Sequence, residues 1–146
     1  MLSKGATTWW ERWNGDTGDP AMNSYNHYAF GSVVAWVYRY VAGIDTALDG
    51  AGFHHIVIHP HLDAAMPKAG GDYKSVYGKI TTEWSGLPDK GFSLKVTVPA
   101  NTSATVYLPV ISGTTVAEDG APMATHQENG SHIVEIGSGT YHFDVK

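Results

Sequence analysis

The spacing of apolar residues changes once along this 146-residue chain, from about 3.6 to 2, close to Asp49-Gly50. A helix repeats every 3.6 residues and a strand every 2, so the change divides the chain into a helical part and a strand part. In the first part Phe30, Val33, Val34, Val37 and Val41 follow spacings of three and four, which predicts a helix over 28–41. Gly43 is its expected terminator, in the left-handed conformation that glycine tolerates. Trp36, Tyr38 and Tyr40 lie off that stripe. The helix is therefore apolar or aromatic around most of its circumference and expects neighbours on several sides.

The second part alternates. Phe53, His55 and Val57 interleave with His54, Ile56 and Ile58; Val76, Gly78, Ile80, Thr82 and Trp84 share one face, opposite Tyr77, Lys79, Thr81 and Glu83. Phe92, Leu94, Val96 and Val98 repeat the pattern as far as Pro99, and Ala104, Val106 and Leu108 as far as Pro109. Shorter strands are expected at 114–118, 132–136 and 141–145. Turn chemistry separates the strands, as in Leu87-Pro88-Asp89, Asp119-Gly120, Asn129-Gly130 and Gly137-Ser138-Gly139. Ala69-Gly70-Gly71 is expected as a loop between the first two strands. Six or seven strands at roughly 8–12-residue spacing predict an antiparallel β-sandwich. The fold class is mainly β, a sandwich over 51–146 preceded over 1–50 by one or two helices.

Composition narrows the function. Nine Lys and Arg against fourteen Asp and Glu give a formal charge of −5, and no basic cluster interrupts the chain. Nucleic acid and anionic membrane surfaces are therefore not expected as partners. No apolar run approaches the ~18 residues of a spanning helix, and the start MLSKGATT lacks the apolar stretch of a signal peptide. The chain reads as soluble, with its compartment open between cytoplasm, periplasm and export. Without cysteine there is neither a disulfide framework nor a thiolate metal site.

Three tryptophans, Trp9, Trp10 and Trp13, bracket Glu11 in the segment TTWWERW. Indole faces suit the C–H faces of sugar rings, and an aromatic wall of low dielectric favours a carboxyl group working as general acid or base. The plain alternative is that the tryptophans are core and Glu11 pairs with Arg12 or caps a helix. His27 stands in a polar stretch just before the predicted helix, where a histidine is ordinarily structural.

Taken together, TTWWERW, DPAMNSYNHYAFGSV, WVYRYVAGI and GFHHIVIHP resemble the C-terminal end of bacterial alpha-L-rhamnosidases, inverting glycoside hydrolases of family 78. YKSVYGKITTEW and VTVPANTSATVYLP are similar to that family's C-terminal β-sandwich, so the resemblance covers nearly the whole chain. It implies that the helices over 1–50 are the remnant of an α/α six-fold catalytic barrel, and that Glu11 is the general base that deprotonates the attacking water. It also implies that His27 contacts the sugar in the minus-one subsite and that Trp9, Trp10 and Trp13 wall that subsite or pack in the barrel. The substrate class is a terminal alpha-L-rhamnosyl residue on a glycoside or polysaccharide. The loop between Glu11 and His27 is shorter than the family's usual one.

The same resemblance implies an incomplete enzyme. Inversion needs two carboxyl groups roughly 6.5–9.5 Å apart, one protonating the leaving oxygen and one activating water. In the family the acid comes from a segment far upstream of these motifs. Asp16 and Asp19 lie in a glycine-rich loop whose solvation keeps an aspartate near its ordinary pKa of ~3.9, so neither is expected to hold a proton at neutrality. Twelve barrel helices also need roughly 200 residues. The chain alone is accordingly expected to be inactive, with the missing upstream catalytic domain as a partner, or with self-association through the exposed helix. No cofactor is required.

Three weaker signals remain. His54, His55, His59 and His61 resemble a zinc or nickel cluster, but Pro60 interrupts the strand and adjacent residues point to opposite faces, so strand-end histidines are preferred and no metal is assigned. Asn101-Thr102-Ser103 and Asn129-Gly130-Ser131 fit the glycosylation pattern and are read as turns. Tyr77 and Tyr107 either form a sugar-binding face or fill the interface with the missing barrel, the second being preferred. A noncatalytic carbohydrate-binding or scaffold module is the competing function.

Overall fold

A computed structural model describes residues 2–18, 20–21, 24–88 and 90–146. The chain divides into two compact units, residues 1–37 and 38–146. In the first, short 3-10 turns at Leu2–Lys4 and Gly15–Thr17 precede helix α1, Tyr28–Trp36. His27 occupies the N-cap position of α1 in an extended conformation. No residue of α1 is buried. Tyr28, Phe30, Val33, Val34 and Trp36 are all exposed, and the apolar stripe read from the sequence faces outward.

Helical structure continues as a π-helical segment, Val37–Ala42, instead of the single α-helix expected over 28–41. At the change, the Val37 N–H is shared between the carbonyls of Val33 and Val34. Gly43 then ends the run with φ 72°. A Cβ at this position would also stand 2.4 Å from the Pro60 nitrogen, so both conformation and space demand glycine.

The second unit holds two sheets. One has the order β1-β2-β6-β10-β9, comprising Ile44–Thr46, His55–Ile58, Ser103–Pro109, Ser131–Ile136 and His126–Glu128. The other has the order β3-β4-β5-β11-β7-β8, comprising Lys68–Ser75, Gly78–Leu87, Gly91–Val98, Gly139–Val145, Val116–Glu118 and Ala121–Pro122. Ile56, Ile58, Ala104, Val106 and Leu108 of the first sheet share one core with Ile80, Trp84, Leu94, Val96 and Phe143 of the second. This is a β-sandwich. The alternation read from the sequence is the burial alternation of β4 and β5 and, apart from the buried Thr105, of β6.

Four expectations change. The glycines at 70 and 71 lie inside β3, paired with Glu83 and Thr82, and are no loop. A Cβ on Gly70 would meet the Thr82 carbonyl oxygen at 2.4 Å and one on Gly71 would meet Ala42 Cβ at 2.9 Å, so close backbone approach explains glycine in a strand. Val76 belongs to the turn before β4 and is exposed, because β4 begins at Gly78. Among the described residues the strands number eleven, since pairings as short as Ala117 with Pro122 carry no periodic signal. Finally, β2 and β6 are parallel, His55 opposite Ser103, in otherwise antiparallel sheets. A parallel pair requires a crossover, and β3, β4 and β5 of the facing sheet supply it.

The turns follow the sequence closely. Asp119-Gly120 and Asn129-Gly130 each join two strands through two residues of positive φ, the arrangement that matches strand twist. Thr102 donates its hydroxyl hydrogen to the Pro99 carbonyl within the turn between β5 and β6.

The end of the helical stretch is tied to the strands by an unbroken series of carbonyls. Tyr40 O accepts from His61 N at 3.0 Å, Val41 O from Trp84 Nε1 at 2.8 Å, Ala42 O from Thr82 Oγ1 at 2.6 Å and Gly43 O from His59 N at 2.9 Å. Terminal helix carbonyls have no intrahelical donor, and here four in a row receive one each.

Candidate active site

Two segments form the candidate site, residues 7–13 and 24–28. Their backbones lie side by side. Glu11 N donates to Ser24 O at 2.9 Å and His27 N donates to Trp9 O at 2.6 Å, while the Thr8 hydroxyl donates to Tyr25 O. The carboxylate-bearing and histidine-bearing segments, 16 residues apart in sequence, are thereby brought into one place.

Aromatic rings brace this pairing. Trp10 is half-buried and meets Tyr25 edge-on, ring centroids 5.6 Å apart. The Tyr25 hydroxyl donates to Gly15 O at 2.7 Å, fixing the intervening loop. His27 packs on Phe30 at 5.0 Å and on Tyr28 at 6.3 Å. Trp9 borders Gly31 of α1, where a Cβ would lie 3.8 Å from its Cδ1. Glu11 is half-buried, whereas Trp9 is 47% and Trp13 76% exposed. Tyr25 escaped the sequence reading, although its place in the aromatic run NSYNHY is the signal that could have found it.

Asp16 ion-pairs with Lys4 at 2.8 Å, and that hydrogen bond holds its carboxyl below the ordinary aspartate value. It is exposed and carries its charge at neutrality. Asp19 lies outside the described residues.

The sandwich histidines have separate surroundings. His55 lies between Ser103 Oγ at 2.7 Å from Nδ1 and Thr105 Oγ1 at 2.8 Å from Nε2, with Thr105 donating on to Glu135 at 2.8 Å. His54 packs on Tyr77 at 5.5 Å, and His59 stacks on Tyr107 at 4.8 Å. Among the described residues no group of three or more His, Cys, Asp or Glu side chains is disposed to hold a metal ion. A concavity of about 1240 Å³ crosses the outer face of β3, β4, β5 and β11 and is lined mainly by hydroxyls, lysines and carboxylates.

Both parts of the chain are similar to known proteins. Residues 1–41 match the family described as the bacterial alpha-L-rhamnosidase 6 hairpin glycosidase domain, and residues 43–121 match the bacterial alpha-L-rhamnosidase C-terminal domain. An alpha-L-rhamnosidase of Streptomyces avermitilis is 37% identical over 99% of this chain, and one of Formosa agariphila is 31% identical over 99%. The crystal structure of the Streptomyces avermitilis enzyme complexed with L-rhamnose is matched with TM-score 0.77 over 99% of this chain. That of the alpha-L-rhamnosidase from Dictyoglumus thermophilum is matched with TM-score 0.81 at 30% identity over the whole chain.

The chain belongs to the bacterial alpha-L-rhamnosidase family. It spans 14% of the Streptomyces avermitilis protein and 17% of the Formosa agariphila one.

Proposed function

We propose that this chain is the C-terminal portion of an inverting alpha-L-rhamnosidase and supplies that enzyme's general base, Glu11. The backbone pairing of residues 9–11 with 24–27 carries the reading, because it delivers a carboxylate and an imidazole to one place beside Trp9 and Trp10. In the working enzyme Glu11 takes a proton from the attacking water and His27 hydrogen-bonds the rhamnosyl ring. Trp9, Trp10 and Trp13 exclude water and offer faces to its C–H groups. The proton for the leaving oxygen comes from a carboxyl group of the upstream catalytic domain. The reading assigns the helical stretch within residues 1–50 to the end of the catalytic barrel and residues 51–146 to the sandwich, with β1 reaching from the first part into the sheet. The exposed apolar face of α1 is the surface that the remainder of the barrel covers.

The test is a chimera in which this chain replaces the corresponding stretch of the Streptomyces avermitilis enzyme. The chimera is expected to cleave a chromogenic alpha-L-rhamnoside and to release the β-anomer first. Glu11→Gln should lower kcat by roughly 10²–10⁴-fold, the range of a general base, with KM little changed. Unchanged turnover in that variant would refute the role. The isolated chain is expected to show no turnover.

A further inference from the structure

A cleft on the sandwich gathers two features that stand apart in the sequence, the His59-Pro60-His61 run and Tyr107. It encloses about 320 Å³. Sites for small ligands run from roughly 300 Å³ upward. Tyr107 stacks on His59 with planes 27° apart, and His59 lies 4.4 Å from the His61 ring, so a ladder of rings borders the space. Pro60, Pro109 and Val110 add apolar carbon, and Val110 is 41% exposed.

The polar groups are few. They are the Tyr107 phenol, the Ser131 hydroxyl and the two imidazoles. Burial, reinforced by the neighbouring His61, holds His59 below the ordinary imidazole value, so at neutral pH its ring presents one donor and one acceptor. Among the described residues the lining contains no Lys, Arg, Asp or Glu. Among the described lining residues an ammonium ligand finds no carboxylate, and a phosphate or carboxylate finds no lysine or arginine. A neutral pyranose has the complementary make-up, with flat C–H faces and a rim of hydroxyls that donate and accept. The surplus of apolar carbon favours a sugar with a methyl group in place of a hydroxymethyl group.

We propose that this cleft is a secondary saccharide site for a neutral 6-deoxyhexopyranosyl unit, its ring face on the Tyr107–His59 stack and its methyl group toward Val110. The site is distinct from the Glu11 segment; only the choice of L-rhamnose as the sugar rests on the rhamnosidase reading.

The test is amide-resolved NMR titration of the chain with L-rhamnose and with L-mannose, which restores the C6 hydroxyl. L-Rhamnose should give saturable shifts at Tyr107, Val110 and Ser131, with several-fold weaker binding of L-mannose. Tyr107→Ala and Val110→Glu should each weaken binding about tenfold, the worth of one aromatic or apolar contact of about 1.4 kcal/mol. Val110 is a surface side chain, so its variant tests the cleft even where Tyr107→Ala disturbs the fold. Absence of cleft shifts, or shifts undiminished in Val110→Glu, would overturn the site, and equal binding of L-mannose would overturn the methyl assignment. Shifts confined to Trp9, Glu11 and His27 would overturn the cleft while supporting the rhamnoside reading. Loss of Glu11 function leaves the cleft shifts as the separate criterion.

Discussion

Trp84 combines two tasks in one side chain, filling the core at 2% exposure and donating Nε1–H to the Val41 carbonyl. Trp84→Phe keeps most of the apolar surface and removes the donor, so denaturant unfolding should show a loss of about 1–3 kcal/mol, the cost of an unsatisfied buried carbonyl plus a small cavity. His59 and His132 illustrate a second residue-level effect. Burial lowers both imidazoles from 6.5, and for His59 the His61 charge adds to it. The unfolded chain then binds more protons below pH 6.5, so stability is fullest above that pH and falls as pH drops toward the folded-state values. Melting temperature should therefore decrease between pH 7.5 and 5.5, and His59→Gln should flatten that slope. Asp144 acts lower on the scale: burial tends to raise it, but hydrogen bonds from Lys146 and Ser93 outweigh this and hold it below 3.8. Residue chemistry was the most legible level of the sequence. The tryptophans around Glu11 mark that segment out in the sequence, whereas the bracing by Tyr25 was hidden because it depends on a hydrogen bond to Gly15, ten residues away.

At the scale of elements, legibility followed side-chain pattern. β4 and β5 alternate in burial and were readable, and β6 does so apart from the buried Thr105. β3, with the sequence KAGGDYKS, has almost no apolar side chain to count, because what it contributes is backbone pairing at close range. Gly70→Ala should confirm this. Its methyl group has no room beside the Thr82 carbonyl, and the resulting shift of β3 should cost on the order of 1–3 kcal/mol and expose the amides of Lys68–Ser75 to hydrogen exchange. The helix was legible as a helix and as a sticky one. Val33 is 50% and Trp36 55% exposed, so sedimentation should detect concentration-dependent association of the isolated chain, relieved in a Val33→Glu, Trp36→Glu variant with little change in melting temperature. The parallel pairing of β2 with β6 could not be read from either strand. It is a property of the connection between them.

Over the whole molecule, burial is distributed unevenly. Among the described residues before 38 only Ala6 and Gly15 are buried, while the strands share a continuous core from Ala42 to Val145. Limited proteolysis followed by mass spectrometry should accordingly cut first within residues 1–37 and leave the remainder resistant; early cleavage inside β4 or β5 would contradict this. Such a distribution suits a chain whose first part completes its packing with residues that lie elsewhere. The four carbonyls from Tyr40 to Gly43 bear on how such enzymes diversify. The two family matches meet at residue 42, yet donors from 61 and 84 reach the carbonyls of Tyr40 and Val41 across that border, and Thr82 reaches Ala42 on it. A recombination event placed at the border would exchange a sandwich and with it the stopper of the helix. A swap between relatives is expected to keep the helix end in place only when it carries that end together with its donors.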